Sequence, residues 1–394
     1  MKVEVFPYLL HFKSPAGTSR GVYTERQVWY VKISSEGSPE SGLKDSLDGG
    51  PYGGLGSCLE GSLESCLDGP MGCRVGWGEC APLPDLSCDA GPDYEKILRS
   101  FCARLEAEGT IDYEAMRPYP SMLFGLETAL QHYRSGSLEL WPSQFTKGQA
   151  GIPINGLIWM GDRETMHSRI EAKMAAGFRC IKLKIGAINF DDELSLLKLI
   201  RSHFTSSEVE LRVDANGAFA PSEASAKLSV LASLGLHSIE QPIRAGQWDK
   251  MAELCASTPL PIALDEELIG VNRLSDKTLL LDTIKPQYII LKPSLHGGIK
   301  GATEWINLAR ERGIGWWITS ALESNVGLNA IAQWTAHLHE SLVPCGSDED
   351  SKIAGSYQNM LPQGLGTGLL FTDNIDYPLA IRRDCLWYNE SSQI

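Results

Sequence analysis

The chain has 394 residues, of which 43% are hydrophobic and 21% charged, a balance that excludes a disordered or fibrous protein. Its formal net charge of −14 argues against a basic nucleic-acid-binding surface. No apolar run approaches the roughly 18 residues of a membrane span, so an integral membrane protein is not expected. The length suits two or three domains, or one large barrel with an appendage.

The amino-terminal residues predict no signal peptide, because Lys2 and Glu4 interrupt any apolar stretch. The ten cysteines form neither a Cys-x-x-Cys pair nor the Cys/His spacing of a zinc finger. Without an export signal, we expect reduced thiols in a cytoplasmic protein.

The first 135 residues predict an α+β domain. Apolar and polar residues alternate through about the first 35 residues, which is the period of a strand. The stretch from about 37 to 72 is rich in Gly, Ser, Asp and Glu, and it predicts a long, flexible, acidic loop between two strands. Helical periodicity returns over 93–108 and 121–133.

Residues 150–345 show a repeating pattern of short apolar runs and helical stretches. Such alternation predicts successive βα units and a parallel sheet. Seven apolar runs favour a (β/α) barrel over a doubly wound sheet. A Rossmann fold would place Gly-x-Gly-x-x-Gly after its first strand, and the glycines at 364–368 do not stand in that setting. The predicted fold class is therefore α/β, a barrel with a smaller α+β domain.

Charged residues occupy equivalent positions on five consecutive predicted strands. In chain order they are Lys184, Asp214, Glu240, Asp265 and Lys292, and Ser320 follows on the next strand. Neighbouring members of this series are 25 to 30 residues apart, about one βα unit. Because the carboxyl ends of barrel strands converge on one mouth, we expect these side chains to meet there.

The predicted mouth has a specific chemistry. Three carboxylates in a partly buried place would repel one another unless a divalent cation joined them, and an all-oxygen site suits Mg²⁺, with Mn²⁺ as an alternative. Lys182 and Lys184 point to the same face of one strand. Neighbouring cations would lower the pKa of a lysine toward that of a base. We therefore expect proton abstraction next to a carboxylate, with the metal stabilising the enediolate.

The strand-end motifs resemble those of the enolase superfamily, in its muconate-lactonising subgroup. They read Lys182-x-Lys184, Asp214-x-Asn216, Glu240-Gln-Pro, Asp265-Glu266 and Lys292-Pro-Ser294. The amino-terminal region resembles the capping domain of that superfamily in Gly76-Trp-Gly-Glu79 and Phe124-Gly-Leu-Glu127. The resemblance implies a (β/α)7β barrel, with a carboxy-terminal segment (365–394) that returns to the cap.

The resemblance also implies residue roles. Mg²⁺ would be held by Asp214, Glu240 and Asp265. Lys184 would remove the proton, and Lys292 opposite would stay cationic. Lys182 would hold the substrate carboxylate and tune Lys184. The remaining expected substrate contacts are Asn216, Ser294 and Ser320.

Within the subgroup, three phrases resemble the o-succinylbenzoate synthase family of menaquinone biosynthesis; they begin at Ile154, Ser320 and Gln363. That resemblance implies dehydration of a small anionic substrate, 2-succinyl-6-hydroxy-2,4-cyclohexadiene-1-carboxylate, to 2-succinylbenzoate. N-succinylamino-acid racemase, dipeptide epimerase and muconate cycloisomerase stay open as alternatives, because the same charged residues would serve them. A non-catalytic binding barrel is a further alternative. The sequence leaves the oligomeric state open.

Overall fold

The computed structural model describes residues 1–18, 21–35, 74–159, 162–186, 188–342, 357 and 360–389. The acidic loop predicted at about 37–72 lies outside the described residues. Among the described helices, none is both long enough and apolar enough to cross a bilayer.

A three-stranded antiparallel sheet forms the amino-terminal region, here called the cap. Its strands are β1 (Lys2–Thr18), β2 (Gly21–Ser34) and β3 (Val75–Cys80), in that order. Helices α1 (Tyr94–Glu108), α2 (Tyr113–Met116) and α3 (Pro120–Ser135) follow. Glycine permits α3 to lie directly on β3, because a Cβ at Gly78 would stand 2.0 Å from the carbonyl oxygen of Gly125. This close approach explains a glycine of the cap motif noted in the sequence.

Seven parallel strands follow a short strand, β4 (Ile152–Pro153). They are β5 (Gly156–Ile158), β6 (Cys180–Lys184), β7 (Glu210–Asp214), β8 (Ser238–Glu240), β9 (Ile262–Leu264), β10 (Tyr288–Leu291) and β11 (Gly315–Ile318), hydrogen-bonded in sequence order. A helix follows each strand: α4 (Arg163–Ala175), α5 (Phe190–His203), α6 (Pro221–Ala232), α7 (Trp248–Ser257), α8 (Leu274–Ile284), α9 (Gly298–Glu311) and α10 (Asn325–Ser341). The strands are almost wholly buried, as expected where helices cover a parallel sheet.

The segment at Gln363 and Gly364 closes the sheet. It forms parallel bridges with Ile154 on one side and Thr319 on the other. The amide nitrogen of Gly364 donates to the carbonyl oxygen of Ile318 at 2.8 Å, which joins this segment to β11. The predicted (β/α)7β barrel is thereby confirmed, and in the eighth position the bridges of this segment close the ring.

Side chains fill the barrel below its mouth. Arg212 is buried with its guanidinium 4.2 Å from the ring centre of Trp317, and its Nη1 donates to the carbonyl oxygen of Pro362 at 2.9 Å. Its Nε donates to a carboxylate oxygen of Glu210 at 2.6 Å. The barrel is therefore a packed core with chemistry confined to one end, as is typical of this architecture.

The carboxy-terminal segment contacts both the cap and the barrel. Strands β12 (Leu379–Arg382) and β13 (Cys385–Tyr388) form a hairpin, and β13 pairs with β4. Closer to the barrel in sequence, Phe371 forms a bridge with Phe12 of β1. The domain limits given above, 1–135, 150–345 and 365–394, stay a prediction.

Two carboxylates of the cap bind the amino-terminal ends of barrel helices. Glu79 accepts hydrogen bonds from the amide nitrogens of Ser324 and Gly327, both at 2.9 Å, and from the Ser324 hydroxyl at 2.6 Å, at the start of α10. Glu127 accepts from the amide nitrogen of Ile299 at 2.6 Å, at the start of α9. Helix amino termini carry unpaired N–H groups and partial positive charge, so these contacts join the cap to the barrel.

Removal of the Glu79 carboxylate should weaken this junction. Glu79 is fully buried, and Glu79→Ala would leave three donors without an acceptor. We expect the free energy of unfolding to fall by about 3 kcal/mol in urea denaturation. Glu25→Ala, at an exposed position of β2, should change it by less than about 0.5 kcal/mol. Equal stability of the two variants would contradict this role for Glu79.

Candidate active site

Five predicted side chains lie together at the carboxyl ends of consecutive strands. Lys184 ends β6, and its Cα is paired in register with Asp214 at the end of β7, which in turn is paired with Glu240 at the end of β8. Asp265 and Lys292 come directly after β9 and β10. Because β6 and β10 are four strands apart in an eight-stranded ring, their lysines face each other across the mouth.

Lysine ammonium groups connect the carboxylates. The Nζ atom of Lys182 lies 2.5 Å from Glu240 Oε2 and 3.0 Å from Asp214 Oδ2. Lys184 Nζ lies 3.1 Å from the same oxygen of Asp214. Across the mouth, Lys292 Nζ pairs with Asp265 Oδ2. The mouth is thus a network of alternating charges, almost fully removed from solvent.

Burial and neighbouring charges shift the pKa values in opposite directions. Burial raises the pKa of Glu240, which also faces Asp214, and burial likewise raises the pKa of Asp265. At Asp214 the nearby lysines outweigh burial and hold the pKa well below its usual range.

The pKa values of Lys182 and Lys292 are raised, because carboxylates outweigh the effect of burial. These two lysines therefore favour their charged forms, the opposite of the lowering expected of a base. The direction agrees with the cationic role predicted for Lys292.

The donor set at the mouth fits a divalent cation. Among the described residues, three of its buried carboxylate oxygens lack a hydrogen-bond partner: Glu240 Oε1, Asp265 Oδ1 and Glu266 Oε2. Such oxygens are costly to bury unpaired, and a hard cation held by Glu240 and Asp265 would satisfy the two that belong to these predicted ligands. Across the same described ranges, no three or more His, Cys, Asp or Glu side chains already form a metal-binding group, and lysines bridge the carboxylates instead.

The side chain of Gln241 joins the carboxyl ends of β8 and β9 by hydrogen bonds, a role that we did not predict from the sequence. Its Oε1 accepts from the amide nitrogens of Asp265 and Glu267, both at 3.2 Å, and its Nε2 donates to Glu267 Oε2 at 2.9 Å. The backbone of Gln241 has a φ of 37°, which turns the chain sharply after β8. The signal available in the sequence was its place inside the Glu-Gln-Pro motif, next to a predicted ligand.

The predicted substrate contacts separate into two groups. Asn216 and Ser320 line the cavity at the mouth together with Lys182. Ser294 is fully buried, is not among the cavity-lining residues and donates to Glu323 Oε1. The side chain of Ser294 therefore ties the loop after β10 to the loop after β11, and this placement gives no support to its predicted contact with substrate.

A cavity of about 430 Å³ opens at the mouth, a size suited to a small molecule. Lysines and carboxylates line one end, and the rest is mostly apolar. Its apolar lining includes Leu83, Leu157, Trp159, Leu295 and Leu322. Tyr23 of the cap also lines it, so the cap forms part of its wall.

Comparisons with known proteins agree with this geometry. A family model described as "Enolase C-terminal domain-like" matches residues 165–364. The chain is 46% identical over 378 residues to an o-succinylbenzoate synthase from Desulfotalea psychrophila, which covers 94% of this chain and 95% of that protein. The crystal structure of MenC from Desulfotalea psychrophila superposes with a TM-score of 0.71 at 39% identity, covering 98% of this chain and 99% of that one.

A more distant structure resembles the chain in fold alone. It is a dipeptide epimerase from Enterococcus faecalis, solved with Mg and the dipeptide L-Leu-L-Tyr. It superposes with a TM-score of 0.70 at 16% identity and covers 99% of this chain and 97% of that one.

The unpaired carboxylate oxygens lead to a prediction about metal binding. Calorimetric titration with Mg²⁺ should show one site, and Glu240→Gln and Asp265→Asn should each weaken binding by at least about tenfold. The control is Glu253→Gln, an exposed carboxylate on α7 that should leave the affinity unchanged. Unaltered affinity in both mouth variants would exclude these side chains as ligands.

Proposed function

Because the chain belongs to the enolase superfamily, we propose that its mouth dehydrates 2-succinyl-6-hydroxy-2,4-cyclohexadiene-1-carboxylate to 2-succinylbenzoate, the o-succinylbenzoate synthase reaction of menaquinone biosynthesis. The observation that carries the proposal is the placement of Lys184 and Lys292 on opposite sides of a mouth built of carboxylates. The 46% identity to an o-succinylbenzoate synthase over nearly the full length of both chains supports this substrate over others.

Members of this superfamily use a divalent metal ion. In this chain Asp214, Glu240 and Asp265 would hold it, and we propose that the ion is Mg²⁺, with Mn²⁺ a chemically equivalent choice. When bound, the cation supplies positive charge beside the substrate carboxylate, where negative charge develops as the proton leaves.

The lysines perform the proton chemistry. Lys184 in its neutral form takes the proton from C1, next to the ring carboxylate. The electron pair of that C–H bond moves first onto the carboxylate, which gives the enediolate. It then forms the new ring double bond as the C6 hydroxyl leaves, and this hydroxyl takes a proton from Lys184 to depart as water. Lys292 stays cationic and stabilises the enediolate electrostatically. Lys182 pairs with the substrate carboxylate.

The surroundings of the mouth suit an anionic ring. Three lysines, together with a divalent cation when one is bound, would offset the carboxylates of the site and attract an anion even though the chain is acidic. The apolar part of the cavity excludes water from the ring, which strengthens the charge interactions at the reacting carbon. A cytoplasmic location belongs to this proposal, because the six described cysteines are free thiols.

The activity can be tested directly. With Mg²⁺ present, the wild-type protein should convert the cyclohexadiene carboxylate to 2-succinylbenzoate, followed by ultraviolet absorbance, and chelation of the metal should stop it. Lys184→Ala should lower kcat by about a thousandfold, because the base is lost. Lys198→Ala, an exposed lysine on α5, should match the wild type. A folded, Mg²⁺-loaded wild type without turnover would refute the synthase assignment.

A second substitution separates dehydration from racemisation, the activity that opposed lysines could also support. If Lys292 acts only as a cation, Lys292→Arg should retain dehydration within about a hundredfold of the wild type. The same variant should lose any racemisation of N-succinylamino acids, because only Lys184 would remain to exchange the α-proton, on one face of the substrate. Wild-type turnover that is faster with N-succinylamino acids than with the cyclohexadiene substrate would instead favour a racemase.

A further inference from the structure

The turn after β7 places an amide side chain against the proposed base. Asn216 has a φ of 44°, in the left-handed region that Asn tolerates better than most residues. Its backbone nitrogen donates to Asp214 Oδ1 at 3.0 Å. At the following position, a Cβ on Gly217 would lie 2.9 Å from the Cα atom of Arg244, so the turn lies directly on the neighbouring loop. Contacts on both sides therefore hold the turn in one conformation.

Glu266 determines which atom of the Asn216 amide faces Lys184. Asn216 Oδ1 accepts from Lys184 Nζ at 2.8 Å, and Asn216 Nδ2 donates to Glu266 Oε1 at 2.9 Å. Glu266 Oε1 accepts from the amide and Lys184 donates to it, so the amide satisfies both neighbours in this orientation. The carbonyl oxygen must then face the lysine.

This arrangement uses two of the bonding directions of the Lys184 nitrogen. Asp214 Oδ2, at 3.1 Å, and Asn216 Oδ1 each take one N–H. A neutral amine has two N–H bonds and one lone pair, while an ammonium group has a third N–H in place of the lone pair. Lys184 lines the cavity, and the remaining direction is the one left for the substrate.

We propose that Asn216 and Glu266 are positioning residues for Lys184: they orient its lone pair toward the proton to be removed and, after transfer, its third N–H toward the leaving hydroxyl. The inference rests on the proposed function. It replaces the direct substrate contact predicted for Asn216 by a role exerted through the lysine. Misalignment of a base costs rate while leaving substrate binding nearly intact, so the effect should fall on kcat.

An exchange of the acid and the amide tests the proposal with isosteric side chains. Asn216→Asp places two carboxylates face to face. Glu266→Gln can donate as well as accept, so it no longer prevents the Asn216 amide from turning its Nδ2 toward the lone pair of neutral Lys184. Each single variant should lower kcat by at least about tenfold with KM changed less than about twofold. The double variant N216D/E266Q rebuilds both hydrogen bonds, because the carboxylate introduced at position 216 would accept from the lysine and from the amide introduced at position 266. Its kcat should return to within about threefold of the wild type.

Two further measurements distinguish positioning from a structural or ligand role. With substrate deuterated at C1, the isotope effect on kcat should rise in the single variants and return to the wild-type value in the double variant. Mg²⁺ affinity measured by calorimetry should stay within about threefold throughout, whereas loss of a metal ligand would weaken it more. Asn189→Asp, at the exposed amino-terminal cap of α5 where both residues serve equally, is the matched control.

The possible results distinguish a failure of the positioning role from a failure of the proposed synthase activity. A wild type that forms no 2-succinylbenzoate would remove the proposed function itself. Two results would overturn only the positioning role, provided that the wild type turns over normally. One is an unchanged kcat in the single variants, and the other is a double variant no faster than the single variants. Loss of Mg²⁺ binding in Glu266→Gln would instead make Glu266 a ligand and would also overturn it.

Discussion

The burial of several carboxylates in one place is the constraint on which this structure depends. Asp214, Glu240 and Asp265 are nearly inaccessible to solvent, and like charges at such positions cannot all ionise without counter-charge. The chain supplies that counter-charge from three lysines, and a divalent cation would supply more. The same charges that make the mouth foldable also make it reactive, because a proton next to a carboxylate becomes removable where negative charge is already balanced.

The scaffold keeps these charges apart along the chain and together in space. Parallel strands in register carry Lys184, Asp214 and Glu240 to one level, and Gln241 fixes the turn beside them. Glu79 accepts hydrogen bonds at the start of α10, the helix that follows β11. The cap is therefore anchored next to the loops at the mouth. The cavity between cap and barrel therefore has a wall from each part.

Charged and apolar side chains line different parts of the cavity. The charged mouth would serve any reaction that begins with removal of a proton next to a carboxylate. The rest of the cavity wall is mostly apolar and includes Tyr23 of the cap. Ser294 belongs to neither part, because its hydroxyl holds two loops together through Glu323 and it does not line the cavity.

The sequence by itself determined the fold class and the order of the charged residues, because strand period and the length of a βα unit are local properties of the chain. The recurrence of Lys184, Asp214 and Glu240 at nearly constant spacing was enough to place them on one barrel mouth. Only the tertiary structure decided which groups touch. Asn216 and Glu266 are 50 residues apart, and Glu79 and Ser324 are 245 apart. Such pairs come into contact only when the barrel closes and the cap packs against it. No local sequence pattern predicts those contacts.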